Sequence, residues 1–287
     1  MILVTGAAGY TGRRLVSRLV ADRQAVRCLL RSERQRALFE CMEVELWVGD
    51  LAQPESVRGG FEDIERIVHL AGMQVVPTLI ESANRQLQRV VVLSSLRRFS
   101  TVASATVDMV IRGEEQLDRS GLPCTILQSS MIFGPGNDRN IGRLAAYLRR
   151  RRFIPVLGDG AGLQQPVFVD DVVNVTLSAL FGISCGTYQI AGLEAISYNR
   201  LVDLVGAAVG TDPVKIHIPA KFCALVLELA ERIGLRLSID REQVLRLQED
   251  KSVSIEAAVR DLDFAPLGFE EALARIHASG RGEDDLY

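Results

Sequence analysis

The stretch Val4-Thr5-Gly6-Ala7-Ala8-Gly9-Tyr10-Thr11-Gly12 places three glycines at three-residue intervals between an apolar run and a helical pattern. Glycines at this spacing serve one chemical purpose well, which is to hold an anion on backbone amides. Gly6 permits the tight turn, Gly9 lets a phosphate approach the backbone, and Gly12 lets the helix pack closely on the strand. Ala8 lies between the glycines, and the amides of Tyr10 and Thr11 open a helix whose N-terminus favours negative charge. The group that fits such a turn is the pyrophosphate of a dinucleotide.

A second set of residues bears on which dinucleotide. Arg31 follows the apolar run Ala25–Leu30, where the adenosine ribose of a bound dinucleotide would lie. An acid at that position would accept the ribose 2′-hydroxyl. Leu30-Arg31-Ser32-Glu33-Arg34 has no acid at the end of the run, and Arg31, with Arg34 as a second contact, suits a 2′-phosphate. NADP(H) is therefore favoured over NAD(H). The plain alternative is that Arg31 is a solvated loop residue.

These residues need a scaffold, and the strand-like runs supply one. Ile2–Thr5, Ala25–Leu30, Val44–Val48, Ile64–Leu70, Val90–Leu93 and Cys124–Leu127 alternate with helical patterns, the first over Gly12–Asp22. Parallel neighbours need helical crossovers, so the expected class is α/β, a Rossmann doubly wound parallel sheet. Ligands bind beyond the C-terminal ends of such strands. That gives weight to Asp50 and Leu51, to Leu70, Ala71 and Gly72, and to Ser94 and Ser95. Beyond residue 133 the pattern changes to a turn, a helix ending in Arg149–Arg152 and a strand starting at Ile154. A further short strand within 165–169 leads to a helix capped by Asp170 or Asp171. The expected division is a dinucleotide-binding domain over 1–160, with a return strand and helix near 165–182. A smaller, mostly helical C-terminal lobe over 183–287 would serve a substrate or partner. Within it, the helix Ala220–Ile233 has few polar positions and reads either as buried or as a self-association or partner surface. A short strand is expected near Lys215–Ile218, and the polar stretch Ala278–Tyr287 should fray.

Composition narrows the function classes. The chain has 287 residues, 48% of them hydrophobic, and a net charge of −3. No apolar run reaches the roughly 18 residues of a membrane helix. A strand beginning at Ile2 leaves no room for a signal peptide, so a cytoplasmic protein is expected. Residues 1–160 carry 22 Lys and Arg against 17 Asp and Glu, and the remainder carries 11 against 19. A basic first half suits a phosphate-rich ligand, although unequal solvated surfaces explain the same counts. Nothing resembles a nucleic-acid-binding arm. Cys28, Cys41, Cys124, Cys185 and Cys223 read as buried thiols in a reducing compartment. His69, His217 and His277 lack ligand spacing, so no metal site is expected, and His69 reads as a core or crevice residue.

The glycine turn, Gly49-Asp50-Leu51, Ala71-Gly72, Ser94-Ser95, Ser120-Gly121-Leu122 and Gln165–Asp171 occur in this order. Together they resemble the extended and atypical branches of the short-chain dehydrogenase/reductase superfamily. Those branches include the NAD-dependent epimerase/dehydratase group, NmrA-like proteins and the NADPH-binding accessory subunit of respiratory complex I. The resemblance implies that Asp50 and Leu51 meet the adenine, that Ala71 and Gly72 line the adenosine side, and that Ser94 and Ser95 lie near the nicotinamide ribose.

The sequence departs from that pattern where the chemistry is done. The superfamily's usual catalyst is a Tyr followed four residues later by a Lys. Counting back from Ser120-Gly121-Leu122 puts Thr106 and Val110 there. The three lysines, Lys215, Lys221 and Lys251, all lie outside the first half. Thr106, Met109, Val110 and Gly113 share one helix face, which offers no group titrating near neutrality. Gln164 or Gln165 stands where epimerases place an Arg for the substrate diphosphate, and Gln128-Ser129 stands where many relatives have Arg-Pro. Ser95 and Arg97 remain as candidates for catalysis, with Arg98 beside them able to polarise a carbonyl or hold an anion. Two readings stay open. One is an oxidoreductase or epimerase-like enzyme with a non-standard site. The other is a non-catalytic NADP(H)-binding sensor or assembly factor, homo-oligomeric or bound to a partner.

Overall fold

Strands that are apolar along nearly their whole length can be covered on both faces, as parallel sheets require. The structure, a computed structural model, describes residues 1–84, 86–136, 138, 140–219 and 249–279. Its strands are β1 (Ile2–Thr5), β2 (Val26–Leu30), β3 (Glu45–Val48), β4 (Arg66–His69), β5 (Arg89–Ser95) and β6 (Cys124–Ser129). Four short strands follow: β7 (Ile132–Phe133), β8 (Phe153–Leu157), β9 (Leu163–Gln164) and β10 (Val167–Phe168). The last three are β11 (Gly186–Ile190), β12 (Ile196–Ser197) and β13 (Val214–Ile218). The helices are α1 (Tyr10–Ala21), α2 (Val76–Ser82), α3 (Ala105–Ser120), α4 (Ile141–Arg150), α5 (Val169–Phe181), α6 (Tyr198–Ala208), α7 (Glu256–Leu262) and α8 (Phe269–Ser279).

Seven strands form the main sheet in the order β11-β6-β5-β4-β1-β2-β3, every neighbouring pair parallel. Side chains alternate across it. Val4, Val68, Val91 and Leu127 join the core beneath α1 and α5, while Leu3, Ile67, Val90 and Ile126 join the core beneath α2 and α3. On α1 the fully buried Leu15, Val16 and Leu19 each contribute about 1.5–3 kcal/mol of apolar burial. Helix α3 starts at Ser104, whose Oγ accepts the Val107 N–H, and stops at Gly121 in the left-handed region at φ +71. Because the sheet is parallel, all of its strands end on one rim.

A third core fills the smaller lobe. The Phe133 ring lies 5.8 Å from that of Phe168 and 5.0 Å from that of Phe269, with Leu148, Leu201 and Val205 packed around them. Here β7 pairs with β10, β8 with β13, and β9 with β12. The lobe is not continuous in sequence. β11, expected within the 183–287 lobe, is the edge strand of the main sheet, and α7 packs on β11 and α5. The chain thus enters the lobe at α4, returns for α5 and β11, leaves again for α6, returns for α7 and ends in the lobe with α8.

Other expectations meet corrections. The fourth strand is shorter than expected and the fifth and sixth longer, because sheet pairing rather than apolar content sets their ends. Neither Asp170 nor Asp171 is a cap. Phe168 holds the N-cap position, both acids lie in the first turn, and Asp171 accepts the Leu267 N–H at 2.9 Å. The cysteines are not uniformly buried: Cys28 is buried and its thiol is pushed up to about 12 by desolvation, but Cys41 and Cys185 are exposed. Cys223, the helix Ala220–Ile233 and the end of the tail lie outside the described residues. Among the described residues no helix is long and apolar enough to cross a membrane, and no cluster of His, Cys, Asp and Glu could hold a metal.

Candidate functional site

The glycine turn sits at the centre of the rim, between β1 and α1. Gly6 has φ +70, and a Cβ there would lie 2.7 Å from the Leu70 carbonyl carbon and 2.9 Å from the Ala71 nitrogen. The ends of β1 and β4 therefore meet at a contact only glycine allows. A Cβ on Gly12 would lie 2.3 Å from the Gly6 oxygen, so the first turn of α1 rests on the glycine turn itself. Gly9 differs. It is exposed, has extended backbone, and its Cβ would touch only the Gly6 oxygen at 3.0 Å. Space lies open over Gly9 at the N-terminus of a twelve-residue helix, which is the cradle a pyrophosphate needs. Ala8 is half-buried and Thr11 buried beside it. Tyr10 turns away: its hydroxyl donates to the Pro135 carbonyl at 3.0 Å, under the Arg14 guanidinium 4.4 Å from its ring centre. Burial pushes the Tyr10 phenol well above its usual range. The side chain of Tyr10 thus ties the glycine turn to the start of the lobe.

Beneath the turn, Thr5 and His69 close the ends of β1 and β4. Thr5 Oγ1 lies 2.8 Å from His69 Nδ1, and both side chains are fully buried. Desolvation pulls the imidazole down to about 4. His69 is a core residue, as expected.

Where the adenosine is expected, Arg31 and Arg34 are exposed past the end of β2, and neither forms an ion pair among the described residues. The nearby acid Glu33 is engaged by Arg36. Asp50 is half-buried; its Oδ1 accepts the Ala52 N–H at 2.9 Å and its N–H donates to Ser56 Oγ at 2.9 Å. It is thus an Asx turn that shapes the rim, with Leu51 buried beneath it. Leu70 and Ala71 are half-buried and Gly72 is exposed, all just past β4.

The ends of β5 and β6, where the nicotinamide ribose is expected, are built around a buried carboxylate. Thr106 is exposed on the first turn of α3, while Val110 is buried. The buried face of α3 continues to Glu114, one turn beyond Val110 and only 2% exposed. Ser94 Oγ donates to Glu114 Oε1. Gln128 Nε2 donates to Oε2 at 2.8 Å, and Arg98 NH1 donates to the same oxygen at 2.9 Å. Ser94 and Gln128 are register partners on β5 and β6, so the sheet delivers both to the carboxylate. Ser94 therefore faces the helix. Ser95 is half-buried, its Oγ accepting the Arg97 N–H at 3.2 Å, and Arg97 is exposed. The sequence reading missed Glu114, because its partners are assembled by the strand register and by the turn after β5. It also missed Glu249, whose carboxylate accepts from Ser100 Oγ at 2.8 Å, Thr101 N–H at 2.6 Å and Thr101 Oγ1 at 2.8 Å. Burial works against that carboxylate's charge, but the donors of Thr101 and Ser100 prevail and hold it below the usual carboxylate range.

Gln165 takes a structural role, donating to the Gly192 carbonyl at 2.8 Å and accepting the Val253 N–H at 2.9 Å. A separate cavity of about 1040 Å³ opens in the lobe beside Gly158, Asp159, Tyr198, Asn199 and His217. None of the sequence-predicted site residues lines it.

Comparison with known proteins agrees with this geometry. Residues 6–139 match a family described as NAD(P)H-binding. The photosystem II assembly factor Ycf39 of Cyanophora paradoxa is 32% identical over an alignment that covers 100% of this chain and 85% of that protein. The chain belongs to the atypical short-chain dehydrogenase/reductase superfamily. A 2-alkyl-3-oxoalkanoate reductase of Stenotrophomonas maltophilia is 25% identical, covering 97% of this chain and 98% of that protein. The fold matches UDP-glucose 4-epimerase of Thermotoga maritima with a TM-score of 0.77 at 17% identity, over 98% of each chain. A nicotinamide dinucleotide is accordingly the cofactor class of this superfamily member. Bound at the rim, such a cofactor would supply hydride chemistry at its nicotinamide ring.

Proposed function

We propose that this superfamily member binds NADP(H) as a regulatory or structural ligand, in the manner of a sensor or assembly factor. Ordinary tyrosine-dependent hydride transfer is absent from the proposal. The glycine turn would hold the pyrophosphate, with Gly9 leaving the space and the Tyr10 and Thr11 amides donating. Arg31 and Arg34, free of ion pairs among the described residues, would hold the 2′-phosphate. Asp50, Leu51, Ala71 and Gly72 would border the adenosine, and Ser94 and Ser95 the nicotinamide ribose.

The observation that carries the non-catalytic reading is the face of α3. Thr106 and Val110 stand at the positions of the acid and its activating cation, and the carboxylate one turn on is engaged by three donors. Losing general acid–base help costs roughly 10²–10⁴-fold in rate. The 32% identical relative named as an assembly factor supports the same reading.

A reductase with a non-standard site is the second reading. It is favoured by the half-buried Ser95 and the exposed Arg97 at the end of β5, and by the relative named as a 2-alkyl-3-oxoalkanoate reductase. Dinucleotide titration followed by a metabolite screen, read at the absorbance band of the reduced nicotinamide, separates the two. NADPH binding with no substrate-dependent oxidation supports the first. Steady turnover of any carbonyl compound or sugar nucleotide overturns it and makes Ser95 and Arg97 the first residues to substitute.

A further inference from the structure

We propose that Arg98, positioned by the buried Glu114, is the cation that anchors the nicotinamide half of the dinucleotide, in the place the missing helix lysine would occupy. The proposal rests on the NADP(H) reading.

Three observations converge. First, Val110 leaves the buried face of α3 without a cation, and the first half of the chain contains no lysine at all. Second, Glu114 lies four residues beyond Val110, at the spacing that places two helix side chains one above the other. A long side chain on a helix leans toward its N-terminus, so a lysine at 110 would have pointed toward the rim. Third, Arg98 reaches the same place from the opposite direction. It leaves the short turn after β5 and its NH1 meets Glu114 Oε2 at 2.9 Å.

The charges explain why this arrangement persists. Glu114 is 2% exposed, and a carboxylate so placed is costly unless it is paired and hydrogen-bonded. Ser94 and Gln128 satisfy part of it, and Arg98 supplies the opposite charge. Arg98 itself is one-third exposed, at 34% of its side-chain surface. Its Nε and NH2 donate to no group among the described residues. The guanidinium is thus held through NH1, and among the described residues its other donors are left for a ligand. Guanidinium presents its donors in a fixed plane, so holding one of them orients the rest. Arg98 leaves the turn just past the end of β5, and in the NADP(H) reading the ribose hydroxyls and the nicotinamide carboxamide oxygen beyond that strand end would be the acceptors for its remaining donors.

The test separates the two halves of the ligand. NADPH carries both halves, whereas adenosine 2′,5′-bisphosphate carries only the adenosine half with its 2′-phosphate. Calorimetry is run with both ligands on the wild type and on Arg98→Ala, Arg98→Lys, Glu114→Gln and Arg98→Ala with Val110→Lys. Loss of a charged hydrogen bond should weaken NADPH about tenfold or more in Arg98→Ala and leave the bisphosphate unchanged. Glu114→Gln should weaken NADPH alone, by a smaller factor. Arg98→Lys should retain part of the affinity. In the double variant the new lysine pairs with Glu114 one turn away and restores most of the NADPH affinity. Unchanged NADPH binding in Arg98→Ala overturns the proposal. So does an equal loss for both ligands, which marks a merely structural residue, and so does failure of Val110→Lys to rescue. Failure of the wild type to bind the bisphosphate overturns the NADP(H) reading instead.

Discussion

Replacing Gly9 by Val should abolish dinucleotide binding while leaving the fold intact, and the contrast with Gly12→Ala makes the expectation sharp. Gly9 has φ −72 and ψ 173, extended values that a β-branched residue adopts readily. Its Cβ meets only the Gly6 oxygen, at 3.0 Å, a squeeze of a few tenths of an ångström. The cost to the fold should stay within about 1 kcal/mol, partly offset by the smaller entropy of the unfolded chain. The added methyls stand where the pyrophosphate approaches the helix amides. Losing two hydrogen bonds to a charged acceptor removes about 3–6 kcal/mol, or roughly 10²–10⁴-fold in affinity. Gly12→Ala is the opposite case. Its Cβ would lie 2.3 Å from the Gly6 oxygen and 2.6 Å from the Ala7 oxygen, both backbone atoms that move only if the turn moves. That variant should lose several kcal/mol of stability, with Tm falling about 2–4 °C for each. NADPH calorimetry paired with thermal melts reads both effects. Gly9→Val that binds within threefold of wild type at an unchanged Tm would refute the cradle, and an unchanged Tm in Gly12→Ala would refute the packing argument.

Arg31→Ala should weaken NADPH about tenfold or more and leave NADH unaffected, because the lost contact is to the 2′-phosphate; equal affinities in the wild type would sink the NADP preference. His69 should make the protein acid-sensitive. Its folded value lies near 4 against 6.5 for a free side chain, so its contribution is complete above 6.5 and is lost as pH falls from 6.5 to about 4. The loss totals about 3 kcal/mol, and urea unfolding of wild type against His69→Asn should show a steeper slope for the wild type in that window; parallel slopes would contradict it. Thr106→Tyr with Val110→Lys should create no turnover of sugar nucleotides. The substrate side would still lack an arginine for the diphosphate, Gln165 being held by the Gly192 carbonyl and the Val253 N–H, and measurable turnover would show that another group supplies that contact.

The main sheet was legible because its strands are apolar on both faces, and the glycine turn because each glycine has a distinct steric duty. The residues around Glu114 were not legible. Ser94, Arg98 and Gln128 lie 14 to 20 residues from it, and the β5–β6 register together with the turn after β5 brings them to one carboxylate. The helix-face reading stopped at Gly113, one residue short. β11 was not read as a strand at all, because Gly186-Thr187-Tyr188-Gln189-Ile190 carries no apolar run, and its place at the sheet edge is set by pairing with β6 and by the cover of α7, far along the chain. Asp170 and Asp171 looked like caps, but the pairing of Val167 and Phe168 with Ile132 and Phe133 carries the backbone straight into the helix.

The repeated passage of the chain between the main sheet and the lobe has a bearing on how such a protein can be rebuilt. A lobe joined by one linker can be cut out and exchanged as a cassette. Here an excision of 183–287 would strip the sheet of its edge strand and of the helix that covers it, while α4 and β8 would remain behind with half a core. Chimaeras with relatives should therefore fold when single segments between successive crossings are swapped, and fail when the C-terminal half is moved as one piece. The unit of inheritance in this architecture is the loop, and new specificities would have to be acquired one excursion at a time.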